Sequence, residues 1–246
     1  MTRAFLLPVA AATALSGCFV SDRHHNLCDG AANFYWQFQD GRGVVHGNFT
    51  SANSGCFDAG VDGIDVVVDG ARHQVGCVNP DQTGARSPAI QIAGLGEGTH
   101  SWTVEGFRGN EQVFATGGSA FVPCGADTTV DATLQALNPQ SMVIYYSFAG
   151  SSSFCPAAVA SMGYFLYSGA TLVASSTSFA CDPASLGFTV SDAASRPLPL
   201  FFGSYTAIVE AYDRFGAALY TNCNAPLQHD GAVQFVDLAA SSVLCP

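Results

Sequence analysis

The segment Cys56–Cys77, CFDAGVDGIDVVVDGARHQVGC, decides the fold, and it returns in altered form as Cys155–Cys181, CPAAVASMGYFLYSGATLVASSTSFAC. Each copy opens with a cysteine, enters an apolar strand, turns at a small residue followed by glycine, and closes at a second cysteine. Further matches between the two halves keep a consistent offset: Tyr35/Tyr145, Phe38/Phe148, Gly98/Gly203, Val104/Val209, Glu105/Glu210, Thr116/Thr221 and Leu134/Leu238. This repeat predicts two homologous domains of about 105 residues each, spanning 32–137 and 138–246.

Apolar residues within each copy recur at every second position. Period-2 alternation places one set of side chains on the core face of a strand and the other set in solvent. Asp69-Gly70 and Ser168-Gly169 each separate two such runs and predict tight hairpin turns, because these turns need positive φ. The clearest core positions are Phe34, Trp36, Phe38; Ile64, Val66, Val68; and Val130, Ala132, Leu134. About seven short strands per domain predict an all-β fold of two tandem Greek-key β-sandwiches.

Two further segments resemble a known family of repeats. GTHSWTVE at 98–105 and GSYTAIVE at 203–210 are similar to the G-x-Y-x-x-x-V strand of carboxypeptidase-regulatory-like and collagen-adhesin B-type repeats. Those repeats are immunoglobulin-like modules of bacterial surface proteins. The resemblance therefore implies two immunoglobulin-like domains displayed in the cell envelope.

The N-terminus resembles a bacterial lipoprotein signal. Arg3 precedes an apolar stretch that is too short to span a bilayer stably. The stretch ends in Leu15-Ser16-Gly17-Cys18, which resembles a lipobox. We therefore expect residues 1–17 to be a signal peptide, Cys18 to be acylated and residues 18–31 to include a tether. Phe19, by the sorting rule of enteric bacteria, implies an outer-membrane lipoprotein. The alternative is ordinary secretion with Cys18 as a structural thiol.

The cysteine count indicates disulfides. Nine cysteines are present, and setting Cys18 aside leaves an even number in an exported protein. The repeated pairs are each expected to be bridged, as Cys56–Cys77 and Cys155–Cys181. The other four cysteines do not align between the halves. If each domain folds separately, they pair as Cys28–Cys124 and Cys223–Cys245.

The composition argues against two kinds of partner. Charged residues make up 11% of the chain, all eight basic residues are arginine, and the formal net charge is −11. An acidic chain with scattered arginine has no electrostatic footprint for nucleic acid or for anionic lipid. We expect no nucleic-acid partner, and membrane contact only through the N-terminal lipid.

The common catalytic and cofactor motifs are missing from the sequence. It contains no G-x-S-x-G elbow, H-E-x-x-H, C-x-x-C, P-loop or dinucleotide fingerprint, so no catalytic residue, metal or cofactor is assigned. The densest carboxylate cluster is interpreted as a solvated strand face, with a weak calcium site as the alternative; its members are Asp58, Asp62, Asp65 and Asp69. Glu105 and Glu210 recur, and one carboxylate per domain at an outward strand position indicates a structural feature.

One loop differs between the halves. Phe38 and Cys56 are 18 positions apart, whereas Phe148 and Cys155 are 7 apart. Functional residues are often carried on loops presented by rigid sandwiches. The longer first-domain loop, Gly41–Ser54, therefore supplies the candidate interaction residues Val44, Val45, His46 and Phe49. The alternative is a longer, neutral hairpin.

These observations favour a lipid-anchored envelope protein that acts as a non-enzymatic binding, adhesive or scaffolding module for an unknown protein or glycan. The alternative is a carbohydrate-binding or accessory subunit of an envelope complex. Its candidate residues, if they face outward, are Tyr35, Tyr145, Tyr164 and Tyr167. A hydrolase is the third hypothesis, and it requires a histidine, a carboxylate and a nucleophile that converge in one cleft.

Overall fold

The computed structural model describes residues 28–49, 55–77, 90–150, 155–181, 187–241 and 243–245. The predicted signal peptide, Cys18 and the tether up to residue 27 lie outside this range. The first half contains β1 Gly30–Gln39, β2 Val45–His46, α1 Cys56–Ala59, β3 Gly63–Val68, β4 Ala71–Gly76, β5 Ile90–Leu95, β6 Gly98–Arg108, β7 Glu111–Val122 and β8 Asp127–Ala136. The second contains β9 Gln140–Ser141, β10 Val143–Phe148, β11 Ser161–Ser168, β12 Thr171–Ala180, β13 Gly187–Thr189, β14 Pro199–Leu200, β15 Gly203–Tyr212, β16 Ala218–His229 and β17 Gln234–Ala240.

The first sheet folds over on itself to make a sandwich. Its strand order is β2-β1-β8-β7-β6-β3-β4, and β5 also pairs with β1. β7 and β8 share only the pairs Phe114↔Ala136 and Ala115↔Gln135. Because this pairing is so short, the sheet can bend between β7 and β8. The layer β8-β1-β5 then packs across the core against the layer β7-β6-β3-β4. The first strand lies parallel to the last one, β8.

The second sheet has the same order of strands as the first, except that β2 has no counterpart in it. It runs β12-β11-β15-β16-β17-β10-β13, again with its first strand, β10, parallel to its last, β17. The prediction of an all-β chain with two tandem immunoglobulin-like Greek-key sandwiches is confirmed. The domain limits 32–137 and 138–246 stay a prediction. In the structure, β1 begins at Gly30, and β9, which follows the predicted boundary, pairs with β14 of the second half. No helix in the described part of the chain is long and apolar enough to cross a membrane.

The alternation fills both cores. The inward sets on β1, β3 and β8 are buried with Ile92, Val104 and Phe114 in the first core. Met142, Ile144, Leu166, Val209 and Leu238 belong to the second. Apolar burial contributes about 25 cal/mol per Å², so these inward side chains hold each pair of layers together.

The two hairpin turns differ by one residue. Val68 pairs with Ala71, so Asp69 and Gly70 are the central residues, with φ of 47° and 84°. In the second domain Ser168 pairs with Thr171, which makes Gly169 and Ala170 central. The prediction that Ser168-Gly169 forms the same turn is therefore wrong. Gly169, with φ 59°, occupies the first central position, as glycine does in a type II′ turn.

Four disulfides brace the two domains. They join Cys28 to Cys124, Cys56 to Cys77, Cys155 to Cys181 and Cys223 to Cys245. Each lies within one half of the chain, in the pairs expected from separate folding of the domains. The first ties the residues before β1 to the loop before β8, and the last ties β16 to the C-terminal segment.

Candidate functional site

Residues 41–49 of the predicted interaction loop contain a short hairpin, and residues 50–54 lie outside the described residues. β2 lies antiparallel to the end of β1, with Phe38 opposite His46. Asp40 is buried and accepts hydrogen bonds of 2.9 Å from the backbone N–H groups of Arg42 and Val44, while His46 Nε2 lies 3.0 Å from its other oxygen. Burial alone would raise the pKa of Asp40, but the hydrogen bonds from His46 and the backbone outweigh it and lower that pKa. The Asp40 carboxylate thus holds residues 42–46 in place.

The base of this loop contacts the second domain. Gly41 N–H donates to the backbone carbonyl of Asp230 at 2.6 Å, and Arg42 Nη2 lies 2.6 Å from the Asp230 carboxylate. Asp230 is 1% exposed, and burial is the main cause of its raised pKa. Val44 and Val45 are half-exposed, whereas His46 and Phe49 are partly buried. The described part of the loop therefore braces the two domains, and Val44 and Val45 are its exposed apolar residues.

Arg108, at the end of β6, forms a second brace. It donates from Nε to the carbonyl of Gly60 at 3.0 Å, from Nη2 to that of Ala59 at 3.0 Å, and from Nη1 to that of Ser141 at 2.5 Å. Ser141 N–H in turn donates to Glu111 Oε1 at 2.8 Å. Burial lowers the pKa of Arg108. These contacts fix the start of the second domain against α1 of the first.

Three aromatic rings lie side by side where these braces hold the domains together. Phe57 of α1 lies 5.0 Å from the ring of Tyr145 on β10, and Tyr145 lies 5.5 Å from Phe235 on β17. Phe57 is 51% exposed and Phe235 64% exposed, whereas Tyr145 between them is partly buried. Burial raises the pKa of the Tyr145 phenol. We name Phe57, Tyr145 and Phe235 the aromatic shelf.

Two concavities adjoin the aromatic shelf. One, of about 220 Å³, is lined by all three rings and by Tyr146, Ser147, Val236 and Asp237. The other, of about 520 Å³, is lined by Phe57 and Tyr145 and by Cys56, Gly60, Val61, Asp62, Cys77, Arg108 and Val143. Each thus presents apolar ring surface beside a carboxylate. Such a surface can stack on a flat or apolar group while its rim accepts hydrogen bonds.

The four aspartates of the predicted cluster do not converge. Asp62 accepts from Gly109 N–H at 3.0 Å. Asp65 is 5% exposed and is ion-paired with Arg72, so its assignment to a solvated strand face is wrong. Asp69 accepts from Ser101 and from His100. No three His, Cys, Asp or Glu side chains of the described residues are grouped to hold a metal ion.

Several other predicted positions point inward. Tyr35 and Tyr164 are 7% and 2% exposed, so they cannot offer an outward surface for sugar binding, while Tyr145 and Tyr167 are partly exposed. The outward placement of Glu210 is also wrong. It is 4% exposed, and it accepts from Tyr212 Oη at 2.6 Å and from Cys245 N–H at 2.7 Å. Glu210 thus holds the C-terminal segment in place.

Sequence reasoning found Tyr145 but missed Phe57 and Phe235. Phe235 carried a signal, because it is a phenylalanine at an outward position of the alternating strand β17, whose burial pattern runs exposed at Phe235 and buried at Val236. The sequence around Phe57 gave no such signal, because this segment was expected to lead directly into a strand, whereas it forms α1. Arg108 was missed because nothing in its own sequence neighbourhood marks an interdomain contact.

Comparison with known proteins gives no family. No family model matches the chain, and no curated protein matches it. Solved structures that match include a leucine-rich repeat protein from Bacteroides thetaiotaomicron (14% identity, 88% of this chain, 26% of that chain, TM-score 0.28), the shaft pilin SpaA from Lactobacillus rhamnosus GG (10%, 88%, 99%, 0.27) and a minor pilin of Streptococcus agalactiae (8%, 88%, 98%, 0.26).

The chain spans only 26%, 34% and 63% of the first three structures it matches. TM-scores of this size show no shared arrangement of the whole chain. The fold and the function therefore rest on the strands and side chains described above.

Proposed function

We propose that the protein is a non-enzymatic binding module of the bacterial envelope, and that the aromatic shelf is its binding surface. The carrying observation is that Phe57 and Phe235 hold their rings largely in solvent on either side of Tyr145. Aromatic rings exposed in one patch are typical of interaction sites, since their burial by a partner releases much apolar surface. The interdomain braces fix the rings before any partner arrives, which reduces the entropy lost on binding.

The histidine environments support a non-enzymatic role. His100 Nδ1 lies 2.6 Å from Asp69, and its Nε2 lies 2.8 Å from the carbonyl of Gly96. Both ring nitrogens are engaged, so neither is open to take a proton from a nucleophile. His46 is engaged through Nε2 with the buried Asp40, where it helps to hold the loop in shape.

A site-specific crosslink tests the shelf. A photo-reactive phenylalanine analogue at position 235 in intact producing cells should form a defined adduct. The same analogue at Phe121, which is 55% exposed on β7, should not. Phe57→Ser should reduce the adduct at 235 at least about fivefold, since neighbouring anchors of a binding patch act together. Equal adducts at 121 and 235, or none at 235, would count against the proposal.

We propose that Cys18 carries the lipid that anchors this module to the outer membrane, which the resemblance of Leu15-Ser16-Gly17-Cys18 to a lipobox supports. Two or three acyl chains on one residue give stable attachment, because each buried CH₂ contributes about 0.8 kcal/mol. Cys18→Ala should abolish labelling by a radioactive fatty acid and release the protein from the membrane fraction. Continued labelling of the variant would refute the anchor.

Carbohydrate binding is the second candidate, and the pairing of rings with the rim carboxylate of Asp237 favours it. Sugar C–H faces stack on aromatic rings while their hydroxyls donate to carboxylates. Calorimetric titration with soluble N-acetylglucosamine oligomers should show binding that Tyr145→Ala removes. Tyr167→Ala, a partly exposed tyrosine on β11 away from the shelf, is the matched control. Absence of heat with the unaltered protein would exclude this sugar as the ligand.

A further inference from the structure

The strand β12 forms the outer edge of the second sheet. It pairs with β11 from Ser161↔Ala180 to Ser168↔Thr171. No strand in the described part of the chain pairs with its other side. An open edge of this kind presents backbone N–H and C=O groups that an additional strand can pair with.

This edge lacks most of the features by which proteins block such pairing. Natural edge strands are commonly very short, or they carry charged residues or proline. β12, TLVASSTSFA, is ten residues long and contains neither a charged residue nor a proline. The equivalent strand β4 has six residues, including Arg72, and the opposite edge β13 has three. Two register shifts interrupt the β11–β12 ladder, but Ala174–Ser176 pairs regularly with Tyr164–Leu166.

A groove of about 470 Å³ lies beside the same edge. Phe188 stacks on Tyr164 at 4.7 Å and contacts Phe179 at 4.9 Å, and these three rings line it together with hydroxyl side chains of β12 and of residues 189–195. Asp192 also lines it, but its carboxylate already accepts two hydrogen bonds from Arg196. The groove and the edge together are therefore neutral and suit an uncharged strand with small side chains.

We propose that β12 pairs antiparallel with β12 of a second copy to form a two-fold dimer. Each copy carries a net charge of −11 and repels the other, but pairing through β12 brings no like charges into contact, because the strand contains no charged residue. The partner strand would run beside the groove, which residues 175–179 of β12 help to line. A two-fold axis near Ser175 closes both open edges in one contact, and the pairing needs no part of the aromatic shelf.

Opposite charges at the centre of the strand test this dimer. Ser175 is exposed near the middle of β12, so the two copies of residue 175 face each other across the proposed axis. Sedimentation equilibrium of the purified full chain should give a dimer. S175K alone and S175E alone should each raise the dissociation constant at least about tenfold, because like charges then meet. An equimolar mixture of the two variants should restore the dimer.

Thr99→Lys, at an exposed position of β6 in the interior of the first sheet, is the matched control and should leave the dissociation constant unchanged. Circular dichroism of each variant verifies that it is folded, and the restored mixture rules out misfolding independently. A protein that is monomeric up to high micromolar concentration would overturn the proposal. So would a dimer that neither S175K nor S175E weakens. An adduct at 235 that Phe57→Ser leaves unchanged, with the dimer intact, would contradict only the proposed binding surface.

Discussion

At the scale of single residues, Arg108 has an unusual position for a cation. Its side chain is partly buried at the junction, and it donates hydrogen bonds to the backbone carbonyls of Ala59, Gly60 and Ser141. Buried carbonyls need a donor, and leaving one unpaired costs roughly 1–3 kcal/mol. Arg108 therefore satisfies three acceptors from both domains at once.

Arg108→Ala should lower the free energy of unfolding by about 3 kcal/mol, since the carbonyls that it satisfies lose their donor. Urea unfolding followed by near-ultraviolet circular dichroism measures the change. Arg196→Ala is the control, because Arg196 is exposed and pairs only with its neighbour Asp192, and such pairs contribute little. If both variants unfold at the same urea concentration as the unaltered protein, the brace has no energetic role.

The residue scale also shows where the sequence stopped being informative. Inward positions such as Phe34 and Trp36 were predictable, because alternation along one strand fixes which face they take. The burial of Glu210 was not predictable, because it depends on Tyr212 two positions along the strand and on the distant Cys245. Polar residues are placed by partners remote in sequence, and a single sequence does not name those partners.

At the scale of elements, the β3–β4 hairpin depends on backbone conformation at one glycine. Gly70 has φ of 84°, and a Cβ there would meet no atom within 4 Å. Gly70→Ala should therefore destabilise the protein by about 1 kcal/mol through backbone strain alone. Gly63→Ala is the control, because Gly63 is in extended strand β3 and its Cβ would have one neighbour at 3.9 Å. Differential scanning calorimetry should show a lower Tm for the first variant only.

The turns also limit what a sequence alignment between the halves can show. Gly70 and Gly169 align with each other, but they take the second and the first central positions of their turns. The small-residue-glycine signal correctly predicted that a hairpin is present. The signal could not give the register of the two strands. Ser168 still pairs with Thr171 across the second hairpin, whereas the aligned Asp69 lies within the first turn. The same limit hid α1, since four helical residues have no periodicity to detect.

The disulfides differ in the length of chain that they close. Cys28 and Cys124 are 96 residues apart, whereas Cys223 and Cys245 are 22 apart. In the chain-entropy model a loop of about 100 residues gives about 4.7 kcal/mol and a short one about 3 kcal/mol. The double variant Cys28→Ser/Cys124→Ser should therefore unfold at lower urea than Cys223→Ser/Cys245→Ser. The reverse order would show that the C-terminal clip matters more than loop closure.

At the scale of the whole molecule, the domain junction contains a buried histidine. His229 is 1% exposed, and its Nε2 donates to the backbone carbonyl of Gln140 in the connection between the domains. Burial is the main cause of its lowered pKa; Arg108 lowers it further, while the neighbouring Asp230 raises it. Arg42 also faces this region through its ion pair with Asp230, and the charge of Asp40 raises the pKa of Asp230. Folding thus disfavours the protonated form of His229.

A histidine whose pKa is lowered by folding binds protons more readily in the unfolded chain. Its contribution to stability is present above the unfolded value of about 6.5 and declines as the pH falls below it. The free energy of unfolding, measured in urea between pH 7.5 and 5.5, should therefore fall less in His229→Gln than in the unaltered protein. His100 provides a control of opposite sign, because the hydrogen bond that it donates to Asp69 raises its pKa. Its contribution is present below pH 6.5 and declines as the pH rises, so His100→Gln should make the fall toward pH 5.5 steeper. Parallel profiles for all three proteins would show that neither histidine couples proton binding to folding.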